Sequence, residues 1–188
     1  MLCKRGTEGD SSAKIIAHLI CACVLLLSSA SARAAPSEYE LKAAFIYQIA
    51  RFVEWPPAAQ KDAPLQLCVL GGNPFGAALH TISGKPVGER KIEVALLDMD
   101  MDTRKCAMLF VATPAEKHLE RIAALARGSG MLTLGDTTGF AQRGAMVNFF
   151  PENGKIRFEI NTAASRRAGL KISSQLLRLA RIVEEESP

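Results

Sequence analysis

Alternating carboxylates in the segment DMDMDT form the pattern closest to a metal-binding motif in this sequence. Asp98, Asp100 and Asp102 place oxygen ligands at every second position, as at the start of a calcium loop. Thr103 stands where such a loop needs glycine, and Leu109 stands where its closing glutamate belongs. The pattern therefore predicts a solvated loop between strands, with weak calcium binding as the alternative.

Two histidines and two cysteines follow the N-terminal segment, and none has the spacing of a metal or redox motif. His80 and His118 fall in predicted helices without an HExxH or C-x-x-H pattern, so we expect exposed helical side chains. Cys68 and Cys106 lie too far apart for a C-x-x-C redox site. Residue types alone leave a Cys–His nucleophile open, but a disulfide would consume both sulfurs. We predict no catalytic residue, no metal and no cofactor.

The glycine-rich segment GGNPFG, Gly71–Gly76, follows a predicted strand, as a phosphate-binding loop would. Ala77 and Ala78 stand where such a loop carries Lys followed by Ser or Thr, and the chain has no G-x-S-x-G nucleophile motif. The segment therefore predicts a tight turn from a strand into a helix. A small-molecule pocket at this turn would make the protein a ligand sensor, which is the alternative to a role through protein contacts.

Aromatic and basic residues are the candidate contacts for a protein partner. Trp55 ends the first predicted helix, where it could be an exposed anchor or part of the core. Arg166 and Arg167 follow a predicted hairpin and could hold a phosphate or an acidic surface, or form an ordinary solvated helix face. Trp55, Arg166 and Arg167 are our hypothesis for a partner-binding surface.

The elements that must position these residues begin with a helix. Residues 38–54 show helical periodicity after a Ser37 N-cap, and Pro56-Pro57 ends the helix. Its predicted apolar stripe consists of Leu41, Ala44, Phe45, Ile49, Phe52 and Val53. Further predicted strands are 66–70, 91–97, 107–112 and 131–134, and further predicted helices are 75–82, 114–127, 161–168 and 173–185.

The pair Asn153-Gly154 separates two β-type runs, 145–149 and 155–160, which is a strong hairpin signal. Strands that alternate with helices and then form a hairpin indicate a single α/β domain. We predict a mixed, mostly parallel sheet flanked by helices, with a C-terminal β-hairpin and a closing helix.

Composition and the N-terminal segment limit the class of protein further. The chain has 188 residues, of which 48% are hydrophobic and 22% charged, so a disordered or fibrous protein is excluded. The net charge of +4 is too small and too evenly spread for a nucleic-acid binder. Residues 1–34 predict a cleaved secretory signal, with a basic start, a short apolar run and an A-x-A motif at its end.

Removal of this signal changes the cysteine count. It leaves a domain of 154 residues, 35–188, with 19 basic and 17 acidic side chains and only two of the five cysteines. An even count in an exported chain favours a disulfide between Cys68 and Cys106 over two separate buried thiols.

Five stretches of the exported domain resemble YfiR-type periplasmic regulatory proteins. Tyr39–Pro56 resembles the opening helix of that family, which has the form KAAFIYNFAKFVEWP. The other matching stretches are Leu67–Gly76, Leu132–Asp136, Gly144–Phe149 and Lys155–Val183. Gln48 replaces a common asparagine, and Gly144–Asn153 lacks the second cysteine pair that some members carry.

The resemblance implies a function that spacing alone does not show. It implies a non-catalytic periplasmic repressor that binds the periplasmic part of an inner-membrane diguanylate cyclase and holds it inactive, which lowers cyclic-di-GMP and biofilm formation. A sensor kinase in place of the cyclase, an outer-membrane lipoprotein and a second copy of the chain are the other partners considered. The disulfide of the family carries over onto Cys68 and Cys106, either as a structural bridge or as a redox switch.

Overall fold

A computed structural model describes residues 35–56, 63–99 and 102–184. The predicted signal at 1–34 lies outside the described residues. The strands of the described part are β1 (Val53–Glu54), β2 (Leu65–Leu70), β3 (Pro86–Val87), β4 (Arg90–Leu97), β5 (Met108–Val111), β6 (Leu132–Gly135), β7 (Val147–Glu152), β8 (Lys155–Asn161), β9 (Lys171–Ile172) and β10 (Arg181–Val183). The α-helices are α1 (Glu38–Arg51), α2 (Leu119–Ala126), α3 (Thr162–Arg167) and α4 (Ser174–Leu177), and the 3₁₀ helices are η1 (Gly76–Thr81), η2 (Thr103–Lys105) and η3 (Thr113–His118).

Eight strands form the main sheet in the order β10-β8-β7-β6-β5-β2-β4-β3. Strands β4, β2, β5, β6 and β7 are parallel, β8 returns antiparallel to β7, and β10 runs parallel to β8. All residues of β5 and β6 are buried, as expected for central parallel strands covered on both faces. The predicted class, a single α/β domain with a mixed and mostly parallel sheet, is confirmed.

Helix α1 crosses one face of this sheet. Ser37 caps it in a capping box with Glu40, and Phe45 packs against the rings of Phe149 and Phe158 on the hairpin strands β7 and β8. The face that it buries differs from the predicted stripe. Its buried residues are Lys42, Ala43, Ile46, Ile49 and Ala50, while Leu41 and Ala44 are exposed.

The ends of the first and last predicted helices also differ from the prediction. α1 ends at Arg51, and Val53–Glu54 instead pair with Lys171–Ile172 as the small sheet β1-β9. The closing helix ends at Leu177, so its extension toward residue 185 is wrong, and Arg181–Val183 pair with β8 as the edge strand β10. The β-branched pair Ile182-Val183 suits a strand, and its pairing covers an edge of β8 that a helix would leave open.

A disulfide joins Cys68 of β2 to Cys106, which lies between η2 and β5 and is separated from β5 by Ala107, with a Cα–Cα distance of 5.7 Å. It therefore connects two neighbouring strands at the centre of the sheet. Within the described ranges, no helix combines the length and apolar character needed to cross a membrane.

Candidate functional site

Helix α1 runs between the two ends of the parallel strands. We call these the amino edge of the sheet, where the strands begin, and the carboxyl edge, where they end. Near its start, the Tyr39 hydroxyl and Lys42 Nζ donate to Oδ2 of Asp136, which follows the carboxyl end of β6. Beyond its end, Trp55 Nε1 donates to the carbonyl oxygen of Ala107, which precedes the amino end of β5. Each edge carries one group of candidate functional residues.

The first group is the amino-edge surface, defined as Trp55-Pro56, Gly128–Gly130 and Arg166-Arg167. The Gly128 amide donates to the Arg167 carbonyl oxygen at 2.9 Å, and the Gly130 amide donates to the Ala168 carbonyl oxygen at 3.0 Å. A Cβ atom on Gly130 would lie 3.0 Å from Cγ of Pro56. The loop at 128–130 therefore contacts both predicted partner segments, which are more than 100 positions apart in sequence.

The side chains of this surface differ in exposure. Trp55 is half-buried and packs against the core, so it is neither a free anchor nor a fully buried residue. Arg166 and Arg167 are exposed, and so are Arg127, which precedes the 128–130 loop, and Lys171, which follows Arg167 in the chain. Glu54, the cross-strand partner of Lys171, is the nearby acidic residue of the small sheet. An excess of basic side chains around an aromatic ring suits an acidic protein surface.

The second group is the carboxyl-edge cluster, defined as Glu38, Tyr39, Lys42 and Asp136. The ammonium of Lys42 lies 2.6 Å from Asp136 and 2.5 Å from Glu38, and the side chains of Lys42 and Asp136 are 4% and 6% exposed. The same ammonium lies 4.4 Å from the centre of the Tyr39 ring. Burial first, and the negative charge of Asp136 second, raise the pKa of Tyr39 to about 12.

Sequence reasoning missed this cluster. The predicted apolar stripe does not contain Lys42, since lysine is almost never fully buried unless it is paired. Its partner Asp136 lies 94 positions away. The one available signal was Asp136 itself, an acidic residue at the end of a buried strand. A side chain at that position contacts the element that covers the carboxyl edge.

A crevice of about 310 Å³ opens beside the cluster, between the segment that follows β2 and the segment that follows β5. Its lining consists of Tyr39, Gly71–Pro74 and Ala112–Pro114. Gly71 has φ of +91°, and a Cβ atom there would lie 2.7 Å from Cβ of Ala115, so only glycine allows this close approach. The predicted turn from a strand into a helix is present, although the helix is the 3₁₀ helix η1.

The remaining chemical candidates occupy other places. His80 is exposed on η1, whereas His118 lines a second cavity of about 370 Å³ between α2 and the η2 region. Asp102 accepts two hydrogen bonds from Arg104, which lower the pKa of its carboxyl to about 2, while Asp100 lies outside the described residues. The described part of the chain contains no group of three or more His, Cys, Asp or Glu side chains that could hold a metal ion.

The fold and the two sites define the class of protein. It is a disulfide-bridged α/β domain with a mixed sheet, an aromatic and basic surface at one edge of the sheet and a crevice at the other. The chain belongs to the YfiR/HmsC-like family, whose model matches residues 39–181. No curated protein matches the sequence.

One solved structure shows a related fold. It is the crystal structure of a conserved domain protein from Vibrio cholerae O1 biovar El Tor strain N16961, with a TM-score of 0.51 and 14% sequence identity. The match covers 79% of this chain and 60% of that chain, so the present chain spans less than two thirds of the Vibrio protein. At this identity the likeness concerns the fold alone.

Proposed function

We propose that this protein is a periplasmic regulator that represses or modulates an inner-membrane signalling protein by direct contact. The observation that carries the proposal is the match of the YfiR/HmsC-like family over residues 39–181. The partner is the periplasmic part of a diguanylate cyclase, with a sensor kinase as the second choice. The protein acts without catalysis, by occupying its partner's surface.

The predicted export signal and the disulfide support the compartment. Disulfides persist in oxidising compartments such as the periplasm, and Cys68–Cys106 joins two strands of the core. A bridge at this position fixes the platform from which α1 and the amino-edge surface extend. The proposal therefore includes export by a signal that is cleaved after residue 34.

The amino-edge surface is the proposed contact with the partner. A half-buried tryptophan is held in place by the core, so little side-chain entropy is lost when a partner covers its remaining surface. Exposed Arg166 and Arg167 provide donors for carboxylates of the partner. Tryptophan and arginine are enriched among the residues that dominate binding energy at protein interfaces.

A capture experiment tests this proposal. The protein is exported with its own signal, carries a C-terminal tag, and is cross-linked in cells before the periplasm and inner membrane are solubilised. We expect a membrane signalling protein to be captured by the wild type and to be depleted at least about tenfold by Trp55→Ala or Arg167→Glu, since such contacts contribute about 1–2 kcal/mol or more.

The matched control for the charge reversal is Arg121→Glu on α2, which is exposed but lies outside the amino-edge surface. Circular dichroism and thermal melting must show that each variant is folded. Equal capture by the wild type and both amino-edge variants would exclude this surface. Capture of only a lipoprotein, or only a second copy of the chain, would contradict the choice of an inner-membrane partner.

A further inference from the structure

The cavity of about 370 Å³ beside α2, which we call the α2 cavity, lies on the face of the sheet opposite α1. Leu70 of its lining stands in one row of the sheet with Val111, Gly135 and Asn148. Side chains alternate between the two faces of a strand, and Phe149, which follows Asn148, packs against α1. Leu70 therefore points away from α1, and the described lining of the α2 cavity shares no residue with the amino-edge surface or the carboxyl-edge crevice.

Two segments form the walls of the α2 cavity. The helical segment that begins at residue 118 supplies side chains at positions i, i+3, i+4 and i+7, which share one face of a helix. They are His118, Arg121, Ile122 and Leu125. Met99 and Thr103 of the connection between β4 and β5 form the opposite wall. One face of the helix therefore presents two polar and two apolar side chains to the same space.

The apolar part of the lining is buried at two positions and exposed at two others. Leu70 and Ile122 are 4% and 3% exposed, whereas Met99 and Leu125 are 40% and 45% exposed. An apolar chain in the cavity would remove the exposed pair from water, which is favourable, and methionine adapts its shape to such a ligand. A volume of about 370 Å³ is in the lower part of the range for small-molecule pockets. The cavity is therefore large enough for a molecule with a short aliphatic chain.

The charged groups of the lining leave one arginine without a partner. Asp102 accepts hydrogen bonds from the backbone amide and from Nε of Arg104, each at 2.9 Å, so these two charges balance each other. Within the described ranges, the side chains of Arg121 and His118 make no hydrogen bond and no ion pair. A guanidinium and an imidazole three positions apart on one helical face can both donate to a single anion.

From this arrangement we propose that the α2 cavity binds a small aliphatic carboxylate. The carboxylate lies at the guanidinium of Arg121 and the imidazole of His118, and the apolar chain lies over Ile122 between Met99 and Leu125. One guanidinium matches the two oxygens of one carboxylate, whereas a phosphate dianion would call for further cations. The inference is independent of the partner proposal, because it concerns a different surface and is tested on the purified protein alone.

Three probes of matched shape separate the contribution of charge from that of the chain. Hexanoate, 1-hexanol and hexylamine share one unbranched chain and differ in the charge of the head group. Binding is measured by calorimetry and by chemical-shift changes at the methyl groups of Met99, Ile122 and Leu125, in the exported protein with its disulfide intact. We expect hexanoate to bind at least about fivefold more tightly than 1-hexanol, and hexylamine to bind more weakly than either. Added salt should reduce the preference for hexanoate, because it screens exposed charges.

Two pairs of variants connect the binding to the lining. Arg121→Glu should abolish the preference for hexanoate over 1-hexanol, whereas Lys117→Glu, at an exposed position outside the lining, should retain it. Leu125→Ala should weaken hexanoate and 1-hexanol by the same factor, because it removes apolar surface and no charge. Leu96→Ala, at an exposed apolar position outside the lining, should leave both affinities unchanged.

The proposal is overturned by equal affinity for hexanoate and 1-hexanol, which would show an apolar cavity without charge selection. It is also overturned by a preference for hexylamine, or by a preference for hexanoate that Arg121→Glu leaves intact. Absence of shift changes with all three probes at millimolar concentration would exclude this class of ligand. Arg121→Glu should still capture the protein partner as the wild type does, so failure of one proposal is distinguishable from failure of the other.

Discussion

The ammonium of Lys42 lies 2.6 Å from Oδ2 of Asp136, although the two residues are 94 positions apart. This contact joins the first turns of α1 to the carboxyl end of β6, and both side chains are almost completely buried. A buried ion pair of this kind specifies how two elements fit together more than it adds to net stability. It fixes the start of the helix whose other end leads to the amino-edge surface.

Removal of one member of this pair should destabilise the protein strongly. Lys42→Met leaves the buried carboxylate of Asp136 without its cation, and we expect a loss of about 3–5 kcal/mol in the free energy of unfolding. Asp136→Asn should cost less, because the ammonium of Lys42 keeps its contact with Glu38. Glu38→Gln is the matched control, because Glu38 is 54% exposed and its removal should cost less than about 1 kcal/mol. Urea unfolding measures the free energy of unfolding of all three variants. Equal losses would show that the buried pair contributes no more to stability than the exposed carboxylate of Glu38.

The titration of Tyr39 should be displaced to high pH. Its pKa is raised from 10.0 to about 12, while the unfolded chain loses this proton near its ordinary value. The folded state then holds a proton that the unfolded state has lost, so the contribution to stability is complete below pH 10 and disappears as pH rises through 12. Near-ultraviolet absorbance of tyrosinate reports this ionisation directly.

Tyr39→Phe is the control for this titration, because the chain contains only one other tyrosine, Tyr47. The wild type minus the variant should show little tyrosinate at pH 10 and an increase toward pH 12. A difference spectrum that is already complete near pH 10 would show that burial and Asp136 do not act on Tyr39 as described.

Loss of the disulfide should lower the melting temperature by several degrees. The bridge closes a loop with a sequence separation of 38, and in the chain-entropy model such a loop contributes about 4 kcal/mol. Calorimetry compares the exported wild type with a Cys68→Ala/Cys106→Ala variant, with and without reductant. Reductant should change only the wild type, and two free thiols in an intact exported sample would contradict the bridge.

Local sequence patterns predicted most elements of the fold. The central strands are continuous apolar runs, and the Asn153-Gly154 turn produces the hairpin of β7 and β8 with the expected pairing. The errors occur where pairing between distant residues decides the structure. Val53–Glu54 form a strand only because Lys171–Ile172 lie beside them, and Arg181–Val183 do so only because β8 has an open edge.

Fewer features of the candidate sites than of the fold could be predicted from the sequence. The turn at Gly71–Gly76 and the pair Cys68–Cys106 followed from local composition and cysteine count, and the structure contains both. The Lys42–Asp136 pair could not be predicted from local sequence. A charged residue on the buried face of a helix needs a partner, and only the fold brings that partner close. Trp55, Arg166 and Arg167 remain a hypothesis about binding.

The most direct measurement of the central proposal is the activity of the captured membrane protein as purified regulator is added. With a diguanylate cyclase in inner-membrane vesicles that expose its periplasmic part, synthesis of cyclic-di-GMP should fall along a saturable curve. Trp55→Ala and Arg167→Glu should each shift the midpoint at least about tenfold, whereas Arg121→Glu should coincide with the wild type. Cyclase activity that is unchanged by saturating wild-type protein would contradict regulation by contact, and coincident curves for all four proteins would contradict the amino-edge surface.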